Sequence, residues 1–68
     1  MIAVMNDITG VHPVEVMRVE HEDYRDILAE VGEAHLKHGD RLLHLVIFKD
    51  DGGFIFEGTR QPTVFGRA

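Results

Sequence analysis

Histidine is the residue with the widest chemistry in this chain, and three of its five histidines lie close together in the sequence. His35 and His38 are three residues apart, which places them one turn apart on the same side of a helix. His44 follows on a segment that is predicted to be a strand, and its imidazole could reach the same metal ion as His35 and His38. Three such nitrogens are a common ligand set for zinc. The spacing therefore predicts a site for a divalent transition metal formed by His35, His38 and His44.

A second interpretation of these histidines involves no metal. Imidazoles in the last turn of a helix interact favourably with its terminal carbonyl groups, as His35 and His38 would do. The sequence has neither a His-Glu-x-x-His motif nor a Cys to anchor a structural site. His21 is an alternative third ligand. The metal site and the helix-terminal role both remain open at this point.

The common Ser- and Cys-based forms of nucleophilic catalysis are excluded by residue content, because the chain has neither Ser nor Cys. The Ser–His–Asp and Cys–His arrangements therefore cannot form. A general acid–base enzyme using His and carboxylates, with its site at a subunit interface, has suitable residue types but no diagnostic spacing. No catalytic residue is predicted.

The charge of this chain is strongly localised. The formal net charge is −5, and the segment from Glu15 to Glu33, with seven acids and two bases, carries all of it. Acids and bases balance in the remainder of the chain. The sequence has no cluster of Lys and Arg residues that could contact phosphate groups, so direct binding of nucleic acid is not expected.

Four of these acids recur at helical spacing and form one stripe: Glu22, Asp26, Glu30 and Glu33. Like charges at i, i+4 destabilise a helix, and Lys37 is an i+4 cation for Glu33 alone. One interpretation is an ordinary solvated surface. The other is a docking surface for a basic protein partner, such as a nucleic-acid-binding protein, which the stripe would attract through space.

Hydrophobic periodicity indicates the elements that carry these residues. Apolar residues recur along one side of the segment from about 22 to 38, which predicts an amphipathic helix, and Gly39 is typical of a left-handed C-cap. A nearly continuous apolar run, a glycine-containing turn and a second short run predict a C-terminal hairpin of 41–49 with 54–57. Residues 2–5 read as a first strand. The predicted fold is α+β, with a small antiparallel sheet of three to four strands and one helix packed on it.

The segment 11–20 fits two structures. Val14, Val16 and Val19 are β-branched, and Pro13 suits the start of an edge strand. The apolar residues of this segment also continue the helical spacing of the following helix. The density of β-branched residues favours a strand.

One domain, residues 1–68, accommodates these elements, with 59–68 as a loosely ordered tail. A domain of this size without disulfides can gain stability from a compact idealised core, from a metal or from a second copy of itself. Ala29, Gly32 and Leu36 form a line beside the acidic stripe where another backbone could approach closely, so a homodimer through these residues is predicted. The apolar run 42–48, expected to be covered on both faces, supports the same prediction.

No apolar run is long enough to cross a membrane, and the first residues lack the features of a secretory signal. The lack of Cys suits a reducing compartment, so a cytoplasmic location is expected. The sequence thus predicts a small acidic, non-enzymatic protein-interaction module, acting as an inhibitor or adaptor. A histidine-based metal-binding or metal-sensing protein is the alternative, and a general acid–base enzyme is the second alternative.

Overall fold

A computed structural model describes residues 1–60 of the chain. Within this range the chain forms an antiparallel sheet of four strands in the order β2-β1-β3-β4, with one helix between the second and third strands in the sequence. This confirms the predicted α+β fold and its C-terminal hairpin. The elements are β1 (Ile2–Asp7), β2 (Val14–Glu20), α1 (Tyr24–Lys37), β3 (Leu43–Phe48) and β4 (Phe54–Arg60).

The hydrophobic core lies between α1 and one face of the sheet. Ile27, Val31 and Ala34 recur at helical spacing and are the buried residues of α1. The sheet contributes alternate residues, since successive side chains of a strand point to opposite faces. These are Ala3 and Met5 from β1 and Leu43, Leu45 and Ile47 from β3.

Residues 14–20 form a strand, as their β-branched residues indicate. β2 pairs with β1, with Ala3 opposite Val19 and Met5 opposite Met17. The register shifts between Met5 and Asn6, so β2 contains a bulge. The helical spacing of the apolar residues in this segment does not produce a helix, because pairing with β1 as a strand places Met17 and Val19 against the core.

Both ends of the helix differ from the sequence prediction. Asp23 is extended (φ −97°, ψ 125°) and its side chain accepts a hydrogen bond from the N–H of Arg25, so Asp23 is the N-cap and Glu22 lies outside α1. At the other end, the N–H of His38 bonds to the Ala34 carbonyl and α1 ends at Lys37. The predicted left-handed C-cap at Gly39 is wrong, since Gly52 alone has a positive φ among residues 1–60.

The β3–β4 turn is a short hairpin loop that requires a glycine. The N–H of Gly52 bonds to the Lys49 carbonyl (2.9 Å) and the N–H of Lys49 to the Gly53 carbonyl (2.6 Å). This pattern is a three-residue loop whose last residue is left-handed, and Gly52 there has φ +89°. The side chain of Asp51 also accepts a hydrogen bond from the N–H of Gly53.

Gly52→Ala is expected to destabilise the fold by about 1–2 kcal/mol, because a Cβ disfavours the left-handed backbone. Gly10→Ala is the matched control, since Gly10 has no positive φ and a Cβ there meets nothing within 4 Å. Urea unfolding of both variants measures the difference. Equal stability of the two variants would contradict the role assigned to Gly52.

β4 is longer than predicted. It runs to Arg60 rather than Glu57, so Thr59 and Arg60, the first residues of the predicted tail, belong to the sheet. The remainder of that tail, with the short strand expected at 63–65, lies outside the described residues. Among residues 1–60, α1 is too short and too polar to span a membrane.

Candidate interaction surfaces

The residues of the predicted acidic stripe lie on α1 or just before it, and we call Glu22, Asp26, Glu30 and Glu33 the acidic ridge. Asp26, Glu30 and Glu33 lie on one flank of α1, and Glu22 precedes its N-cap. Glu22, Asp26 and Glu33 are exposed, whereas Glu30 is half-buried. The ridge therefore presents three carboxylates to solvent.

Three of the arginine residues pair with acids outside the ridge. Arg18 bonds to Glu15 at 2.7 Å, which lowers the pKa of that carboxyl group. Arg25 bonds to Asp23 at 2.9 Å with the same effect on the Asp23 pKa. Arg41 reaches Asp7 at 2.8 Å.

The exposed carboxylates of the ridge are not neutralised in this way. Within residues 1–60 the structure has no ion pair at Glu22, Asp26 or Glu33, and the i+4 pair between Glu33 and Lys37 is not formed. Three carboxylates of the ridge therefore have no ion-pair partner in the described part of the chain, although Lys37 lies on the same flank of α1.

Glu30 differs from the other ridge residues because it is tethered to a histidine. The Nε2 atom of His21 lies 3.0 Å from a carboxylate oxygen of Glu30, and both side chains are partly buried. His21 directly follows β2 and α1 packs nearest to that strand, which brings the two residues together. Sequence spacing gives no signal for this contact, because it depends on how the helix lies on the sheet.

The structure does not bring the three predicted metal ligands together. His35 is half-buried on α1, and burial followed by the charge of Arg60 lowers its pKa. His38 follows the end of α1. His44 alternates with the buried Leu43 and Leu45, so it lies on the face of the sheet opposite the helix, where its Nε2 atom is 2.7 Å from Glu57.

Residues 1–60 contain no group of three or more histidines and acids placed to hold a metal ion. The geometry therefore does not support a site that joins His35, His38 and His44. Metal binding by this chain stays a prediction from residue content.

The predicted dimer residues lie on the outer side of α1. Ala29 and Gly32 are exposed, and Leu36 is 88% exposed. A Cβ built on Gly32 meets nothing within 4 Å, so this side of the helix is open to solvent. The structure is compatible with close approach of another chain there, and a dimer through these residues stays a prediction.

An apolar cavity of about 320 Å³ lies between α1 and β4, on the flank opposite the acidic ridge. Tyr24, Leu28 and His35 form its helical wall, and the floor is the core face of β3. The outer wall comes from β4, including Phe56 and Gly58. Sequence reasoning missed the cavity because Tyr24 and Leu28 share the helical spacing of the core residues, which predicts that they are buried.

The two His–carboxylate pairs and the cavity are separate features of the surface, because none of the four paired side chains lines the cavity. The cavity is lined largely by apolar side chains, which favours an apolar occupant. Comparison of the chain with protein-family models, with curated proteins and with solved structures found no match.

Proposed function

We propose that this chain is a small non-enzymatic protein-interaction module that binds a basic protein partner through the acidic ridge. The observation that supports the proposal is the pairing pattern of the charges. Arg18, Arg25 and Arg41 each bond to an acid outside the ridge. The ridge keeps three exposed carboxylates without ion pairs among residues 1–60.

The arrangement carries an energetic cost that a basic partner would relieve. Asp26 and Glu30 are four residues apart on α1, and Glu30 and Glu33 are three apart, so neighbouring carboxylates repel each other by a few tenths of a kcal/mol per pair. A partner that brings Lys or Arg side chains to this flank replaces repulsion with attraction. Complementary charge also accelerates association and makes it sensitive to salt.

Reversal of two ridge charges tests the proposal directly. Asp26→Lys/Glu33→Lys is expected to weaken binding of a fluorescent Lys- and Arg-rich peptide by at least about tenfold at low ionic strength, as expected when a charged contact reverses sign. Fluorescence anisotropy with the full chain measures the affinity. Wild-type binding should weaken progressively as salt is added.

A variant with the same net charge separates a local site from a general charge effect. Glu20→Lys/Asp40→Lys changes the total charge by the same amount. Asp40 lies beyond the end of the helix. Glu20 lies opposite Ile2, which alternates with the core residue Ala3, so the side chain of Glu20 points away from α1. This control should retain most of the wild-type affinity. Equal losses in the two double variants would contradict a binding site at the ridge.

A further inference from the structure

The two edge strands of the sheet differ in how well they are protected. β2 follows Pro13, contains a bulge and exposes charged side chains at Glu15, Arg18 and Glu20. A proline, a bulge and exposed charges at an edge strand all discourage pairing with another strand. α1 also packs nearest to β2.

β4 is less protected than β2, because no proline directly precedes it and α1 packs nearest to the other edge. It is a strand of seven residues that also contains a bulge, at Ile55, but its register is regular from Phe56 to Arg60. It pairs with β3 on one side, and among residues 1–60 no strand pairs with its other side. An exposed edge of this kind is a template for a further strand.

Exposed apolar side chains surround this edge. Phe54 is 61% exposed, Phe56 43% and Tyr24 39%, and Leu28 and Ile55 are also exposed. A fully buried aromatic side chain contributes about 150–250 Å² of buried surface. With their exposed fractions, these three rings would bury roughly 600 Å² in two copies, which is over half of the roughly 1,000 Å² of buried surface that a specific interface requires. Leu28, Ile55 and the walls of the cavity supply further area.

Charge favours a second copy at this edge over one at the outer side of α1. The acidic ridge lies on the β2 flank of the helix, and the charged residues of β4, Glu57 and Arg60, balance each other. Two chains meeting through β4 would keep their ridges at the far ends of the assembly. Two chains meeting through Ala29, Gly32 and Leu36 would bring the ridges close together, where like charges repel.

We propose that two copies of this chain associate through antiparallel pairing of their β4 strands, closing the cavity of each copy against the other. A two-fold axis perpendicular to the sheet relates the copies, so the same surface is used twice and both helices lie on one side of an eight-stranded sheet. The paired strands satisfy the outer backbone groups of β4, and the aromatic side chains beside it become buried. This inference is independent of what the acidic ridge binds.

Cross-linking of single cysteines tests the geometry, because the chain has no Cys of its own. Thr59→Cys places a thiol on β4, and Leu36→Cys places one on the outer side of α1. A short bis-maleimide reagent is expected to convert most of the Thr59→Cys protein into a covalent dimer and to leave Leu36→Cys monomeric. The reverse result would overturn the β4 interface in favour of the helix.

Sedimentation velocity across a range of protein concentrations tests the same interface without a cross-linker. Leu28→Glu/Phe56→Glu is expected to raise the dissociation constant of the dimer at least about tenfold, because it buries charge in the apolar contact. Leu36→Glu, an equally charged change per site on the outer side of the helix, should leave that constant within about twofold.

Circular dichroism establishes whether the double variant is folded, and if it is not, the cysteine variants decide the question. A wild-type chain that sediments as a monomer up to millimolar concentration would overturn the proposal. So would a dimer that Leu36→Glu dissociates and Leu28→Glu/Phe56→Glu does not.

Discussion

Replacing Ile27 with Ala is expected to lower the free energy of unfolding by about 2–5 kcal/mol, which is a large part of the stability of a domain this small. Ile27 is fully buried at the centre of the contact between α1 and the sheet. Removing its outer methyl and methylene groups loses hydrophobic burial and leaves a cavity that the surrounding side chains fill incompletely. Urea unfolding followed by circular dichroism measures the effect.

Leu36→Ala is the matched control for this prediction. It removes a similar side chain from the same helix, but Leu36 is exposed, so the change should stay within about 0.5 kcal/mol. Both variants should be compared with wild type at one protein concentration, since self-association adds to apparent stability. A loss below 1 kcal/mol at Ile27 would show that α1 does not pack on the sheet as described.

Asp7→Asn is expected to destabilise the fold at neutral pH and to have progressively less effect in acid. Asp7 is a buried acid at the end of β1, and its two oxygens accept hydrogen bonds from the N–H of Thr9 (2.9 Å) and from Nε of Arg41 (2.8 Å). The bonds with Thr9, followed by Arg41, hold the pKa of Asp7 below its ordinary value of 3.8. The hydroxyl of Thr9 also accepts a bond from the N–H of Leu42, so the cluster joins two loops.

The direction of the pH effect follows from this lowered pKa. A carboxyl group whose pKa is lower in the folded than in the unfolded chain stabilises the fold above its unfolded pKa. That contribution disappears as the pH falls below about 4 and through the folded pKa. The stability difference between wild type and Asp7→Asn should therefore be widest at neutral pH and should narrow towards pH 2.

Unfolding curves at several pH values between 2 and 7 measure this difference. Asp40→Asn serves as the control, because Asp40 is exposed and no hydrogen bond or ion pair involves its side chain within residues 1–60. A difference for Asp7→Asn that is equally large at pH 2 and pH 7 would show that charge on Asp7 does not stabilise the fold.

The sequence by itself determined the features that depend on local interactions. Helical spacing identified Ile27, Val31 and Ala34 as part of one face, because this period follows from backbone geometry. The apolar run 42–48 indicated a strand, but not that the face with Leu43, Leu45 and Ile47 is the buried one. Residue content excluded Ser and Cys nucleophiles. The concentration of acids on one flank was also visible, since residues three and four apart in a helix are neighbours.

Tertiary structure decided the features that depend on where the elements lie relative to one another. The pairing of His21 with Glu30 and the cavity beside β4 follow from α1 lying towards β2. His44 is separated from His35 because the helix covers the other face of the sheet. Periodicity specifies which face of an element is buried but not which partner covers it, so the exposed edge at β4 could be found only in the folded chain.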